Sequence, residues 1–97
     1  MSFFFHPEAE REFLEAIDYY ERHKENLGFD FAVEVYAAIS RAAEHPRVWP
    51  ILEGEVRRCQ TSRFPYAVLY SEEGEGIFVL AVMHMRRDPD YWKHRVR

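Results

Sequence analysis

Ile77-Phe78-Val79-Leu80-Ala81-Val82-Met83-His84-Met85-Arg86-Arg87 contains the longest apolar run of the chain, and its reading decides the fold. Aliphatic, β-branched and aromatic residues dominate it, which suits a strand. As a strand, it sends Phe78, Leu80, Val82, His84 and Arg86 to one face. Ile77, Val79, Ala81, Met83, Met85 and Arg87 go to the other. Both faces are apolar as far as His84, so the strand is expected inside a sheet and covered on both sides.

Working outward, Glu72-Glu73-Gly74-Glu75-Gly76 reads as a turn, and the runs 66–71 and 56–64 read as two further antiparallel strands. Residues 47–55, which follow Pro46 and contain Pro50 and Gly54, read as a loop that Trp49 pins to the core. Upstream the period changes. Ala9, Phe13, Ala16, Ile17 and Tyr20 form a helical stripe within 8–25, from which Glu12, Glu15, Arg22 and Glu25 are excluded. Pro7 suits the first helical turn, and the following glutamates suit its dipole. Gly28 reads as the cap that stops this helix. A second helix over 29–44 uses Phe31, Ala32, Val35, Tyr36, Ile39, Ala42 and Ala43, and ends at His45-Pro46. Phe3 to Phe5 is long enough for one strand.

The order is an α+β fold: an N-terminal strand, an antiparallel helical hairpin, then a three-stranded antiparallel meander, with the helices packed on one sheet face. The hairpin is one cover for residues 77–87. No second cover is evident in the sequence, so a partner chain is expected on the remaining side, which carries Met83 and Met85. Without it the protein is expected to expose apolar surface and self-associate.

Length bounds the rest. Ninety-seven residues make a single domain over 1–97, and 47% apolar with 16% aromatic residues exclude disorder. The net charge of −4 argues against a general polyanion binder, yet residues 1–55 carry −7 and residues 56–97 carry +3. A lone cysteine, Cys59, fits a reducing cytoplasm, and its basic neighbours Arg57 and Arg58 compete with a buried, structural reading. The N-terminus lacks a secretory pattern, and no apolar stretch nears the roughly 18 residues of a membrane span. A cytoplasmic protein without membrane contact is expected.

The chain resembles the RelE/ParE superfamily of type II toxin–antitoxin toxins (plasmid stabilization proteins). The resemblance rests on Phe5-His6-Pro7-Glu8-Ala9, on Arg58 and Arg63-Phe64-Pro65-Tyr66-Ala67-Val68-Leu69-Tyr70, and on the segment from Val79 through Arg86-Arg87-Asp88-Pro89 to Tyr91-Trp92. The closing segment is similar to the ParE branch. The resemblance implies a growth-arresting toxin that inhibits DNA gyrase and is neutralised by a cognate antitoxin. The alternative it implies is a RelE-like, ribosome-dependent and metal-independent mRNA endonuclease. A third reading is an orphan interaction module without toxicity.

RNA cleavage needs a base for the 2′-hydroxyl, positive charge on the phosphate and an acid for the leaving oxygen. Arg58, Arg86 and Tyr91 are the catalytic candidates on that reading. Ala67 stands where the RNase branch usually has an arginine, which tilts the resemblance toward the gyrase branch. Target contact is assigned to Arg58, Arg63, His84, Arg86, Arg87 and Trp92, read as an exposed tail aromatic. Arg57, Met83 and Met85 are assigned to the antitoxin, and Arg87 is an equal candidate there. His84 reads either as a general base or as a rim histidine with a hydrogen-bonded ring. Arg86 and Arg87 read equally as strand-end charges paired with Asp88 or Asp90. His84, Asp88, Asp90 and His94 have metal-binding side chains, but convergence would depend on the turn at Pro89. No metal and no cofactor is expected.

Overall fold

The computed structural model describes residues 2–96. In chain order the elements are β1 (Ser2–Phe5), α1 (Pro7–His23), α2 (Leu27–Glu44), β2 (Ile51–Glu53), β3 (Val56–Gln60), β4 (Tyr66–Glu73) and β5 (Gly76–His84), followed by a 3₁₀ turn at Lys93–Arg95. The sheet order is β1-β5-β4-β3-β2. β5 therefore lies inside the sheet, as its two apolar faces require.

Local chemistry starts and stops the helices. His6 caps α1 through Nδ1, which accepts the Glu8 N–H at 3.1 Å, and Pro7 occupies the first turn. The junction with α2 differs from the expected one. Asn26, not Gly28, takes the left-handed conformation, at φ 71°. Gly28 belongs to the first turn of α2, where a Cβ would stand 2.5 Å from the Ile17 carbonyl oxygen. The glycine is there for close helix approach, not as a cap. Below the hairpin, Phe13, Phe31, Val35, Ala38, Ile39 and Ala42 pack with Cys59, Val68, Tyr70, Ile77, Val79 and Val82.

The sheet departs from a simple meander at three places. β1 pairs parallel to β5, Phe3 opposite Ile77 and Phe5 opposite Val79. The segment 47–55 contains β2, paired antiparallel to β3, so the meander has four strands. All three β2 residues are exposed at the sheet edge and follow Pro50, so they leave no alternating pattern to read. β3 and β5 also end early, at Gln60 and His84.

The third departure is a bulge in β5. Leu69 pairs with Ala81 and Tyr70 with Val79, which leaves Leu80 as an extra residue. The alternation expected from residues 77–87 is reset there. Ile77, Val79 and Val82 enter the core under the helices, whereas Phe78, Leu80, Ala81 and Met83 enter a second cluster on the opposite face.

That opposite face does not wait for another chain. Trp92, 1% exposed, packs with Val56, Ala67, Leu69, Phe78, Leu80, Ala81 and Met83, and Met85 and Tyr91 border the cluster. Burying an indole removes about 200 Å² from water, worth about 5 kcal/mol before entropy. The expectations of an exposed Trp92 and an uncovered Met83 are both corrected: the chain's own tail is the second cover.

Candidate functional site

β1 ends opposite Val79, and the His6 N–H to Val79 carbonyl bond (2.9 Å) closes that pairing. Further along β5, the Val82 N–H and the Leu80 carbonyl are satisfied by side chains. Glu12 of α1 accepts the Val82 N–H through Oε1 at 3.2 Å. Arg95 reaches the same place from the tail. Its Nη1 donates to Glu12 Oε1 at 2.9 Å and to the Leu80 carbonyl at 3.1 Å, and its Nη2 donates to Glu12 Oε2 at 3.1 Å. This two-pronged ion pair is almost wholly buried on the arginine side, at 5% side-chain exposure. Glu8 extends it, 2.8 Å from His94 Nε2 and 3.5 Å from Arg95 Nε. The His94 hydrogen bond and then the Arg95 charge hold the Glu8 carboxyl below its ordinary value.

Tyr91 lies inside this clasp. The Arg87 guanidinium stacks 4.0 Å from its ring centre and that of Arg95 lies at 4.9 Å. The phenol oxygen is buried and makes no well-formed hydrogen bond among the described residues. Burial, and then the neighbouring Glu12 carboxylate, push the phenol far above its ordinary pKa. Arg87 itself is 3.9 Å from Glu12 Oε2.

The basic candidates thus separate into committed and free groups. Arg57 donates to the carbonyls of Arg47 (3.2 Å) and Trp49 (2.8 Å), fastening the loop before β2. Arg63 pairs with Glu34 at 3.5 Å. The expected pairs of Arg86 or Arg87 with Asp88 or Asp90 are not formed: Asp88 accepts the Asp90 N–H, and Asp90 pairs with Lys93. The side chains of Arg58 and Arg86 make no ion pair or hydrogen bond among the described residues. Arg58 stands two strands across from Ala81, about 10 Å at ordinary strand spacing. Arg86 lies beyond the end of β5.

His84 is half-buried, and its Nδ1 accepts the Arg86 N–H at 3.1 Å, so a neutral ring carries its proton on Nε2. Its ring meets Tyr66 edge-on, 5.1 Å between centres. Burial pushes the Tyr66 phenol up to about 12. Cys59 is buried with Sγ 3.6 Å from the Ala38 carbonyl, and that burial raises its pKa rather than activating it. His84, Asp88, Asp90 and His94 face separate partners, and no cluster of three or more potential metal ligands occurs among the described residues.

On the helix side, Glu12, Glu15, Ala16 and Tyr19 of α1 face Tyr66, Val82, His84 and Arg87 across an open cleft of about 330 Å³. The Leu80 bulge puts Val82 there, in phase with the hairpin. Sequence reasoning missed Glu12 and Arg95. Glu12 falls outside the helical stripe, and Arg95 reads as one more tail cation. The available signal was the pair Tyr91-Trp92, two large aromatics that have little reason to sit in a solvated tail.

A family model described as the ParE toxin of the type II toxin–antitoxin system parDE matches residues 3–89. A search of the curated proteins finds no match.

Proposed function

Because the chain belongs to the ParE toxin family of type II toxin–antitoxin systems, we propose that it arrests growth by inhibiting DNA gyrase without cutting nucleic acid, and that a cognate antitoxin neutralises it. The observation that carries the non-nucleolytic reading is the sealing of the sheet face opposite the helices. Ala67 sits in that face, the Trp92 indole covers it, and the Tyr91 hydroxyl is enclosed beside Glu12. A phenol so placed cannot reach an RNA phosphate while the tail is seated. The free cations left for target contact are Arg86 and Arg58, at the edge of the sealed face. His84, with the lone pair of Nδ1 already taken by the Arg86 N–H, serves as a rim residue rather than a general base.

The antitoxin surface moves with the same observation. Met83 is 5% exposed, and Arg57 is engaged by the loop before β2. The outer side of α2 is instead apolar and open: Phe29, Val33 and Tyr36, at helical spacings of four and three, are 68%, 51% and 49% exposed. Singly exposed apolar residues are ordinary, but such a stripe suits a helical segment of a partner. Val33→Lys is expected to abolish capture of the antitoxin with the fold unchanged.

Two assays on the purified chain test the mechanism. DNA supercoiling by gyrase is expected to be blocked, and Arg86→Ala to relieve the block at least tenfold. Ribosome-bound mRNA in a reconstituted translation system is expected to stay intact. Cleavage of that mRNA, lost on Arg86→Ala or Tyr91→Phe, would establish the mRNA endonuclease instead.

A further inference from the structure

We propose that the cleft between α1 and the end of β5 is a receptor for an arginine side chain presented by a polypeptide partner. Neither gyrase inhibition nor antitoxin neutralisation is needed for this inference, which rests on the composition of the cleft.

The cleft volume of about 330 Å³ lies at the low end for ligand sites, enough for one long side chain and too small for a dinucleotide. Ala16 and Val82 supply apolar surface for a methylene stem. Tyr19 and Tyr66 offer aromatic surface to a planar cation. The Glu15 carboxylate makes no ion pair or hydrogen bond among the described residues, so it is free to take a guanidinium fork.

The one cation in the lining does not oppose this. Arg87 stacks on Tyr91 and leans toward Glu12, whose carboxylate also binds Arg95. His84 is held by the Arg86 N–H and stands edge-on to Tyr66. An incoming anion would instead meet the unpaired Glu15 carboxylate, while the Glu12 charge is already balanced by Arg95. Arginine is favoured over lysine because its flat, weakly hydrated head stacks on tyrosine and donates two parallel hydrogen bonds to a carboxylate.

Both key side chains lie on the surface, Tyr19 being 57% exposed, so their substitution leaves the core intact. The experiment titrates the ¹⁵N-labelled full chain with Nα-acetyl-arginine amide and follows backbone amide shifts. Saturable shifts are expected at Glu15, Tyr19, Val82 and His84. Glu15→Gln and Tyr19→Ala should each weaken binding at least fivefold without moving resonances elsewhere, and the citrulline analogue, equal in shape but neutral, should bind at least tenfold more weakly. Absence of saturation at the cleft, equal binding of the citrulline analogue, or indifference to Glu15→Gln overturns the proposal. So does tighter binding of Nα-acetyl-glutamate amide, which marks an anion site, or of free arginine, which marks a metabolite site.

Discussion

Glu12 shows how one residue joins three parts of a fold. Its carboxylate ties α1 to the Val82 N–H of β5 and to Arg95 of the tail. Breaking a buried pair strands a charge, whereas replacing both partners with apolar groups of similar size need not. Arg95→Ala is therefore expected to cost about 3 kcal/mol, and Glu12→Leu with Arg95→Met together less than either alone, as read from urea midpoints in a double-mutant cycle. Glu34 provides a second residue-scale expectation. It accepts the N–H groups of Ser62 (2.9 Å) and Arg63 (3.1 Å), and these bonds, the Arg63 one foremost, lower its carboxyl pKa. A folded-state value below the unfolded one gives stability that is present above the ordinary carboxylate range and lost as pH falls through the depressed folded value. Stability should thus decline on acidification through that interval, and less steeply in Glu34→Gln, as measured by denaturation across pH 2–6. Neither carboxylate was legible as structural. Both lie off the apolar stripes, and the groups that engage them are 28 to 83 positions away.

At the level of elements, the hairpin and β5 were legible because their periodicity is local. Ala9, Phe13 and Ala16 are buried as their spacing requires, and so is every residue of β5 up to Met83. Strand direction and register are not local properties. Nothing in Phe3-Phe4-Phe5 states whether it will run parallel to β5, and the Leu80 bulge is invisible in a run that is apolar on both faces. A bulge in a strand with one polar face would break the pattern; here it only exchanges which apolar residues meet which core. Gly28 was misread for a similar reason, since a glycine after a helical run is commonly a cap and its packing against Ile17 depends on the hairpin geometry. Gly28→Ala gains up to about 1 kcal/mol of helix propensity. It also forces a methyl against backbone, an overpacking that costs about 1–3 kcal/mol. Net destabilisation is expected, seen as a lower Tm with helix content retained by circular dichroism.

At the level of the whole molecule, the tail decides what the basic half can do. Residues 56–97 carry a net +3, yet Arg57, Arg63, Arg87 and Arg95 are held by internal contacts, so the excess charge does not translate into a broad free basic surface. The same tail closes the sheet, and this alters how loss of toxicity must be tested. Cutting the chain after Arg87 removes Trp92 and Arg95 together and uncovers Phe78, Leu80 and Met83, so it is expected to unfold or aggregate the protein whatever the target. Trp92→Ala alone is expected to cost about 4 kcal/mol, a large share of the stability of a domain this small. Growth arrest lost by either change would carry no information about gyrase. Arg86→Ala avoids the difficulty, because an exposed side chain without an internal partner should shift stability by no more than about 0.5 kcal/mol. Urea midpoints and growth after induction, measured side by side for wild type, Arg86→Ala and Trp92→Ala, distinguish the cases. Arg86→Ala is expected to keep the wild-type midpoint and lose toxicity, whereas Trp92→Ala is expected to lose both. An Arg86→Ala protein that is stable and fully toxic removes Arg86 from the target surface.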